Sequence, residues 1–447
     1  MTATVLTEGV SAPVDAAPVT KADRIDSLDI LRGIAVFGIL LMNISAFGLI
    51  WQAYGNPMAA GGSTGLNLRL FEIMNVGFEG TMRGIFSMLF GAGIVLMTER
   101  MEKAGAGLAT AEIHFRRMSW LLLAGIIHWT LLLWTGEILF AYALCGFFLF
   151  ALRKIPARWQ FAIGIAALLI AAGLSNMRYH GTLELSHKAA AAQAIVDGGG
   201  TPDEEQAEAL EGWQEASSFA IPTEETTAMF TGWHSGSYLD AVTGQLSFSY
   251  QFQWVEAPFW LVFDMMPFML IGMALLKSDV LTAGRSTRFY AALMGAGYAI
   301  GIPLGLYELG LLQAGEYGPL ASAEAGRTYQ FSRLAMVFGH LGLVLCVIRL
   351  GLCRWLMRGF AAAGQMALTN YIMQSFFYLF AIYGFGLGLM AWLGATLSLG
   401  LAIAFFALQI IFSKWWMSRY RFGPLEWLWR CLTYGRRQPM RIGAVPA

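Results

Sequence analysis

The stretch RIDSLDILRGIAVFGILLMN, residues 24–43, decides the fold of this chain. It has the length and apolar content of a membrane-spanning helix, yet it holds Arg32 and Asn43 eleven residues apart. At 1.5 Å and 100° per residue, that separation is about 16 Å of rise and three turns plus roughly 20°. The two polar groups share one helix face, and such a face in hydrocarbon has to meet protein, a ligand or water.

The same apolar pattern recurs along the chain, which has 447 residues, 57% of them hydrophobic and 13% charged. Windows of about 20 apolar residues predict spans near 30–50, 75–97, 118–134, 138–152, 159–176, 257–276, 289–311, 331–350, 361–383 and 385–412. The fold class expected is therefore an all-α polytopic membrane protein, with about ten transmembrane helices inside a membrane domain at 25–434. Lys and Arg concentrate in every second loop, after the second, fourth, sixth and eighth spans, and again in the tail at 435–447. A cytoplasmic excess of base then puts both termini in the cytoplasm of a multi-pass protein of the bacterial inner membrane.

The N-terminal 1–24 lacks a basic start followed by an apolar core, so it reads as a disordered cytoplasmic tail rather than a signal peptide. The segment 177–256, between the fifth and sixth spans, is acidic through TPDEEQAEALEGWQEA and reads as a small extracytoplasmic cap. In it Thr201 is expected to cap a helix that has Pro202 at its first position. Net charge is zero, which argues against a nucleic-acid partner and leaves the lipid bilayer as the expected one. The four cysteines form no CxxC pair, so neither a disulfide framework nor a metal site is suggested.

Counting inward from the basic anchors places Asn43, His128, Asp264, His340 and Asn370 near the same depth, about 13 to 20 Å from the inner surface. Intramembrane polar groups are functional-site candidates by default. His128 is the only ionisable group in the core of its span, and imidazole takes and returns a proton near neutral pH. It is the candidate general base, with Asn43 as a hydrogen-bond donor to a developing oxyanion, and Glu137, at the outer end of the same hairpin, reads either as an acceptor-side acid or base or as a rim carboxylate. Glu79 and Arg83, four apart, are expected to pair on one helix. Asn370, Tyr371 and Gln374 in QMALTNYIMQS, with Arg32, Arg83, Arg419, Arg421 and Arg430, are the candidate ligand-binding residues. No Walker or GxGxxG signature in a strand-loop-helix setting occurs, so ATP-driven chemistry is unsupported.

The blocks RIDSLDILRGIAVFGILLMNI, RGIFSMLFGAG, IIHWTLLLWTGEILFAYAL, GSYLDAV, GQMALTNYIMQS and FGPLEWLWRCLTY resemble, in order, the motifs of the YeiB-like family of bacterial membrane proteins. That family is similar to a wider superfamily of transmembrane acyltransferases, which includes the lysosomal heparan-glucosaminide acetyltransferase and bacterial O-acetylators of surface polysaccharides. The resemblance implies transfer of an acyl group from cytoplasmic acyl-CoA to an extracytoplasmic glycan, lipid-linked or small-molecule acceptor, with no metal. Arg32 matches the first-helix arginine of the O-acetylators. Their histidine eleven residues later is replaced by Asn43, so the base is sought at His128. Two other readings use the same polar groups: a transporter of small molecules or ions, and a non-catalytic scaffold.

Overall fold

The computed structural model describes residues 25–60, 62–392 and 394–442; the tail read at 1–24 lies outside them. The described chain is helical, and its one β feature is an isolated antiparallel bridge between Tyr420 and Arg441. In chain order the helices are α1 (Asp26–Gly48), α2 (Gly65–Phe78), α3 (Thr81–Lys103), α4 (Ala109–Leu131), α5 (Leu139–Leu152), α6 (Ala157–Asp197), α7 (Glu204–Ala220), α8 (Glu224–Ser235) and α9 (Tyr238–Gln251). There follow α10 (Ala257–Trp260), α11 (Met266–Lys277), α12 (Thr287–Ala314), α13 (Pro319–Ala325), α14 (Tyr329–Leu350), α15 (Arg354–Gln365), α16 (Ala367–Ile382), α17 (Ala395–Met417) and α18 (Pro424–Tyr434).

Nine of the ten expected spans coincide with one of these helices or a bent set of them, and the tenth, expected from 385, is a continuous helix only from Ala395. Six helical stretches among the described residues are long and apolar enough to cross a membrane, and the bent run α9 to α11 makes a seventh. The protein is thus an all-α polytopic membrane protein. Three departures follow from local chemistry. The fourth span, α5, has 14 residues, about 21 Å, and is shorter than the bilayer core because it begins inside the protein at a buried loop. The sixth is bent by 58° through π-helical turns at Phe252–Glu256 and Leu261–Met265. The ninth breaks at Met366 into α15 and α16.

The fifth span runs on far past its expected end. α6 has 41 residues, about 62 Å, so half of it projects beyond the hydrocarbon. α7 packs back along this projection, with Lys188 bridging Glu184 and Glu205 at 3.2 and 3.1 Å. The expected cap at Thr201 is corrected to Asp203, because the side chain of Asp203 accepts from Gln206 N while Gln206 Oε1 accepts from Asp203 N. This capping box, with Glu204 and Glu205 in the first turn, suits the positive end of the helix and leaves Pro202 outside it. α8 and α9 begin with capping boxes of the same kind at Thr223 and Ser237.

Inside the bundle, α1 packs on α15, α16 and α17, α3 on α11, α4 on α5, and α12 on α14. Gly33 of the LRG triplet has a packing reason: a Cβ there would strike the carbonyl of Phe360, and one at Gly364 would strike the carbonyl of Asp29. Without side chains at these two positions, the backbones of α1 and α15 touch. That contact brings Arg32 to the edge of a cavity.

Candidate functional site

Two chambers enter the bundle from opposite ends of α1, α4 and α16. At the end rich in Arg and Lys, a cavity of about 280 Å³ lies between the start of α1, the end of α3, the start of α4, the start of α16 and α18. Arg32, Arg100, Arg117 and Arg430 surround it, and its deep wall is Leu139, Tyr142 and Tyr371. Arg32 is paired to Asp29 at 3.0 Å, Arg117 lies over the Trp429 ring at 4.4 Å, and Arg430 over Phe422 at 4.5 Å. These contacts hold three guanidinium groups at the wall of one chamber.

α18 closes the same cavity. Its Glu426 accepts from Thr369 N at 3.0 Å and from Thr369 Oγ1 at 2.6 Å, so a half-buried carboxyl caps the first turn of α16. Burial pushes the Glu426 carboxyl above its ordinary range, and the hydrogen bonds from Thr369 oppose that shift. Trp429 Nε1 donates to the carbonyl of Arg117 at 3.1 Å, which fixes the other face of the helix to α4.

From the cap end, a narrower pocket descends between the end of α1, the 132–135 loop, α8, α9 and the second half of α16. Trp134 stacks on Phe47 at 4.0 Å and Phe47 on Tyr378 at 5.0 Å to make one wall, and Ser375 lines the pocket.

His128 stands between the chambers. It is 1% exposed, its Nε2 lies 2.7 Å from Ser375 Oγ, and its Nδ1 lies 3.5 Å from Glu137 Oε1. The Tyr371 ring meets the imidazole edge-on, with centroids 5.2 Å apart. Glu137 is no rim residue: its carboxylate also accepts from Leu139 N, and from Phe140 N at 2.8 Å, at the start of α5. Glycine at 125 permits this, because a Cβ there would strike Phe140 N and Glu137. The loop that carries Glu137 is held by α9 and by the turn after it. Gln245 donates to Leu133 O and Thr135 Oγ1 at 3.0 Å each, and Gln253 donates to Thr135 O at 2.8 Å and Glu137 O at 3.0 Å. Since a carboxylate only accepts, Nδ1 carries the hydrogen towards Glu137, and Nε2 faces the Ser375 hydroxyl as an acceptor.

A second buried ionic centre lies closer to the cap. Asp264, in the π-helical turn before α11, receives Arg83 Nε at 2.8 Å and Arg333 Nη1, and Arg83 Nη2 lies 3.5 Å from Tyr329 Oη. The expected Glu79–Arg83 helical pair does not form. Glu79 ends α2, and Gly80 at φ +62° separates it from α3, so the two are not one turn apart on a helix. Arg83 accordingly sits near the start of α3, about 26 Å of helix from Arg100 and away from the basic cavity.

The five polar groups expected at one depth are not gathered in one place. Asn370 donates to Ala363 O at 3.0 Å and to Ser413 Oγ at 3.1 Å, and Gln374 donates to Gln409 at 3.1 Å, so both face α17 or α15. His340 packs between Phe78 and Tyr298, near α12. Asn43 is not among the residues lining either chamber. Of the arginines expected near a ligand, Arg32 and Arg430 reach the cavity, whereas Arg421 does not line it and Arg419 is exposed and lies over Trp415.

Sequence reasoning passed over Ser375, Arg100 and Arg333. The signal for Ser375 was its place four residues after Tyr371, on one face of α16; that for Arg333 was a lone base in FSRLAMVFGH.

Comparison with known proteins agrees with the block pattern. Residues 275–436 match the family model described as protein of unknown function DUF418. The chain is similar to the uncharacterized protein YxaH of Bacillus subtilis (strain 168), 28% identical over 430 residues, which cover 95% of this chain and 97% of that protein. It is likewise similar to the uncharacterized protein YeiB of Escherichia coli (strain K12), 28% identical over 420 residues, 92% of this chain and 96% of the relative. No solved structure matches significantly.

Proposed function

We propose that this YeiB-like membrane protein, whose residues 275–436 are its DUF418 region, is an acyltransferase that moves an acyl group from acyl-CoA across the membrane to a glycan, lipid or small-molecule acceptor. One observation carries the reading: His128 is the partition between a basic chamber and a cap-side chamber, touching Tyr371 on the first and Ser375 on the second.

Acyl-CoA suits the basic chamber because its phosphates carry negative charge and its pantetheine arm is long and thin. Arg32, Arg100, Arg117 and Arg430 offer charge-assisted hydrogen bonds to the phosphates, and the apolar wall of Phe86, Leu89 and Leu139 takes the arm. The acyl end then lies against Tyr371. An acceptor in the cap-side pocket meets His128 through Ser375, and the imidazole takes the proton that the attacking hydroxyl or amine must lose. Glu137 holds the ring and favours the imidazolium that forms. The alternating basic loops support a cytoplasmic position for the basic chamber, an inner-membrane location and cytoplasmic termini.

The test is acyl transfer in proteoliposomes, with labelled acetyl-CoA on one side and candidate acceptors on the other. Labelled acceptor is expected from wild-type protein and not from His128→Ala. Transfer undiminished in that variant would overturn the mechanism. Two opposed chambers with a thin partition also suit a transporter; solute movement without any covalent change would establish that reading instead.

A further inference from the structure

Transfer through this partition leaves a gap in space. The basic chamber ends at Tyr371 and the cap-side pocket at Ser375, one turn further along α16, which is about 6 Å of rise. A donor and an acceptor held in the two chambers are therefore not in contact. The group between them, Ser375, has the setting of an activated nucleophile. Its Oγ is 2.7 Å from an imidazole nitrogen, and the other nitrogen of that ring faces a carboxylate fixed by two backbone N–H groups. The residue is 1% exposed, so an ester formed there is shielded from bulk solvent and is reached only along the acceptor's route from the cap-side pocket.

Resting on the acyltransferase reading, we propose that Ser375 is the acyl-carrying nucleophile of a Ser375–His128–Glu137 triad, and that the reaction proceeds through an acyl-Ser375 ester in two half-reactions. In the first, Ser375 Oγ attacks the thioester carbonyl and its proton passes to His128 Nε2. The bond from the acyl carbon to Oγ forms, the bond to sulfur breaks, and the thiolate leaves with the proton from His128 as free CoA thiol. The Tyr371 ring is the barrier that the acyl end passes in this step. In the second half-reaction an acceptor hydroxyl or amine from the cap-side pocket gives its proton to His128 and attacks the ester. Ser375 Oγ leaves and recovers the proton. No oxidant, reductant or metal is required, and the acyl group crosses the partition on the protein.

The experiment uses the full chain in lipid nanodiscs. It is incubated with isotope-labelled acetyl-CoA without acceptor, quenched in acid, digested and sequenced by mass spectrometry. Wild-type protein is expected to carry one acyl group on Ser375. Ser375→Ala loses it along with about a thousandfold or more of the transfer rate. Ser375→Cys is expected to carry the acyl group as a thioester that neutral hydroxylamine cleaves. A second arm replaces acetyl-CoA with p-nitrophenyl acetate, an activated ester that needs no CoA site. Label on Ser375 from this ester, with none from acetyl-CoA, supports the nucleophile and defeats the CoA reading. A folded Ser375→Ala protein that transfers at the wild-type rate, or wild-type transfer with label on His128 or nowhere, overturns the acyl-serine while leaving acyl transfer standing. Absence of label from both reagents in wild-type protein also overturns it.

Discussion

Tyr371 and Ser375 stand one turn apart on α16 and open onto opposite chambers, with the His128 imidazole against both. Because the partition between the chambers is this thin, one side chain controls it. Tyr371→Ala is expected to let a small thiol-reactive sulfonate added from the basic side modify the thiol in a Ser375→Cys background, whereas with Tyr371 in place modification comes from the cap side alone. Modification from both sides irrespective of Tyr371 would show that the ring is no barrier.

The arginines of the basic chamber should act on binding more than on chemistry. Replacing Arg32, Arg117 or Arg430 with Gln is expected to raise the KM for acetyl-CoA about tenfold each, the effect of one lost charge-assisted hydrogen bond. The same variants should leave the KM for an acyl-pantetheine, which lacks the nucleotide phosphates, nearly unchanged. Equal losses for both donors would move the phosphates away from these residues.

Asp264 holds two guanidinium groups, that of half-buried Arg83 from α3 and that of buried Arg333 from α14. Asp264→Ala strands both charges and should cost about 3–5 kcal/mol. Since such a centre can be replaced by apolar side chains that fill its volume, the triple change Asp264→Leu, Arg83→Met and Arg333→Met should recover most of the loss. Thermal unfolding in detergent micelles measures both; a single variant as stable as wild type would mean that water already reaches this centre.

In the cap, His234 is buried, its Nδ1 lies 2.6 Å from Phe230 O, and its ring stacks on Tyr383 at 4.5 Å. Its own carbonyl accepts from Gly384 N at 2.7 Å, so this one residue fastens α8 to the end of α16. Burial lowers its proton affinity below the ordinary value of 6.5, so the folded cap holds the neutral ring. Between 6.5 and the lower folded value the unfolded chain binds a proton that the folded one does not. The stabilisation is intact above pH about 6.5 and is lost as pH falls below it. Hydrogen exchange across α8 and α9 should therefore quicken from pH about 7.5 to about 5.5 after correction for the intrinsic rate, and His234→Phe should flatten that dependence.

Gly33 and Gly364 let the backbones of α1 and α15 touch. Gly33→Val should push them apart and cost about 1–3 kcal/mol, more if α1 shifts as a whole. Acetyl-CoA binding should weaken with it, because Arg32 is carried on the displaced turn. Unchanged melting and binding would mean that the neighbouring helix yields freely.

Membrane class and the course of most apolar helices were legible because they depend on quantities local in sequence: run length and mean hydropathy. Arg32, His128 and Glu137 were legible as polar residues where polarity is costly. Their grouping was only partly so. Rise per residue placed Asn43, His128, His340, Asn370 and Asp264 at one depth, but depth is a single coordinate. Which neighbour each faces depends on helix rotation and on crossings set by Gly33, Gly125 and Gly364. Asn370 turned towards α17, Asp264 towards two arginines, and His340 into an aromatic seam.

The sequence by itself determined that this chain lives in a bilayer, where its helices run and that some of them carry groups hydrocarbon would not tolerate. Tertiary structure decided which of those groups meet. It set Ser375, an ordinary hydroxyl in an apolar helix, against His128 from a helix 247 positions away, and set a buried loop carboxylate behind the ring. Hydrophobicity has a period and a length that can be read along one chain. A hydrogen bond between two helices depends on where both backbones stop approaching, and that is fixed by every contact between them.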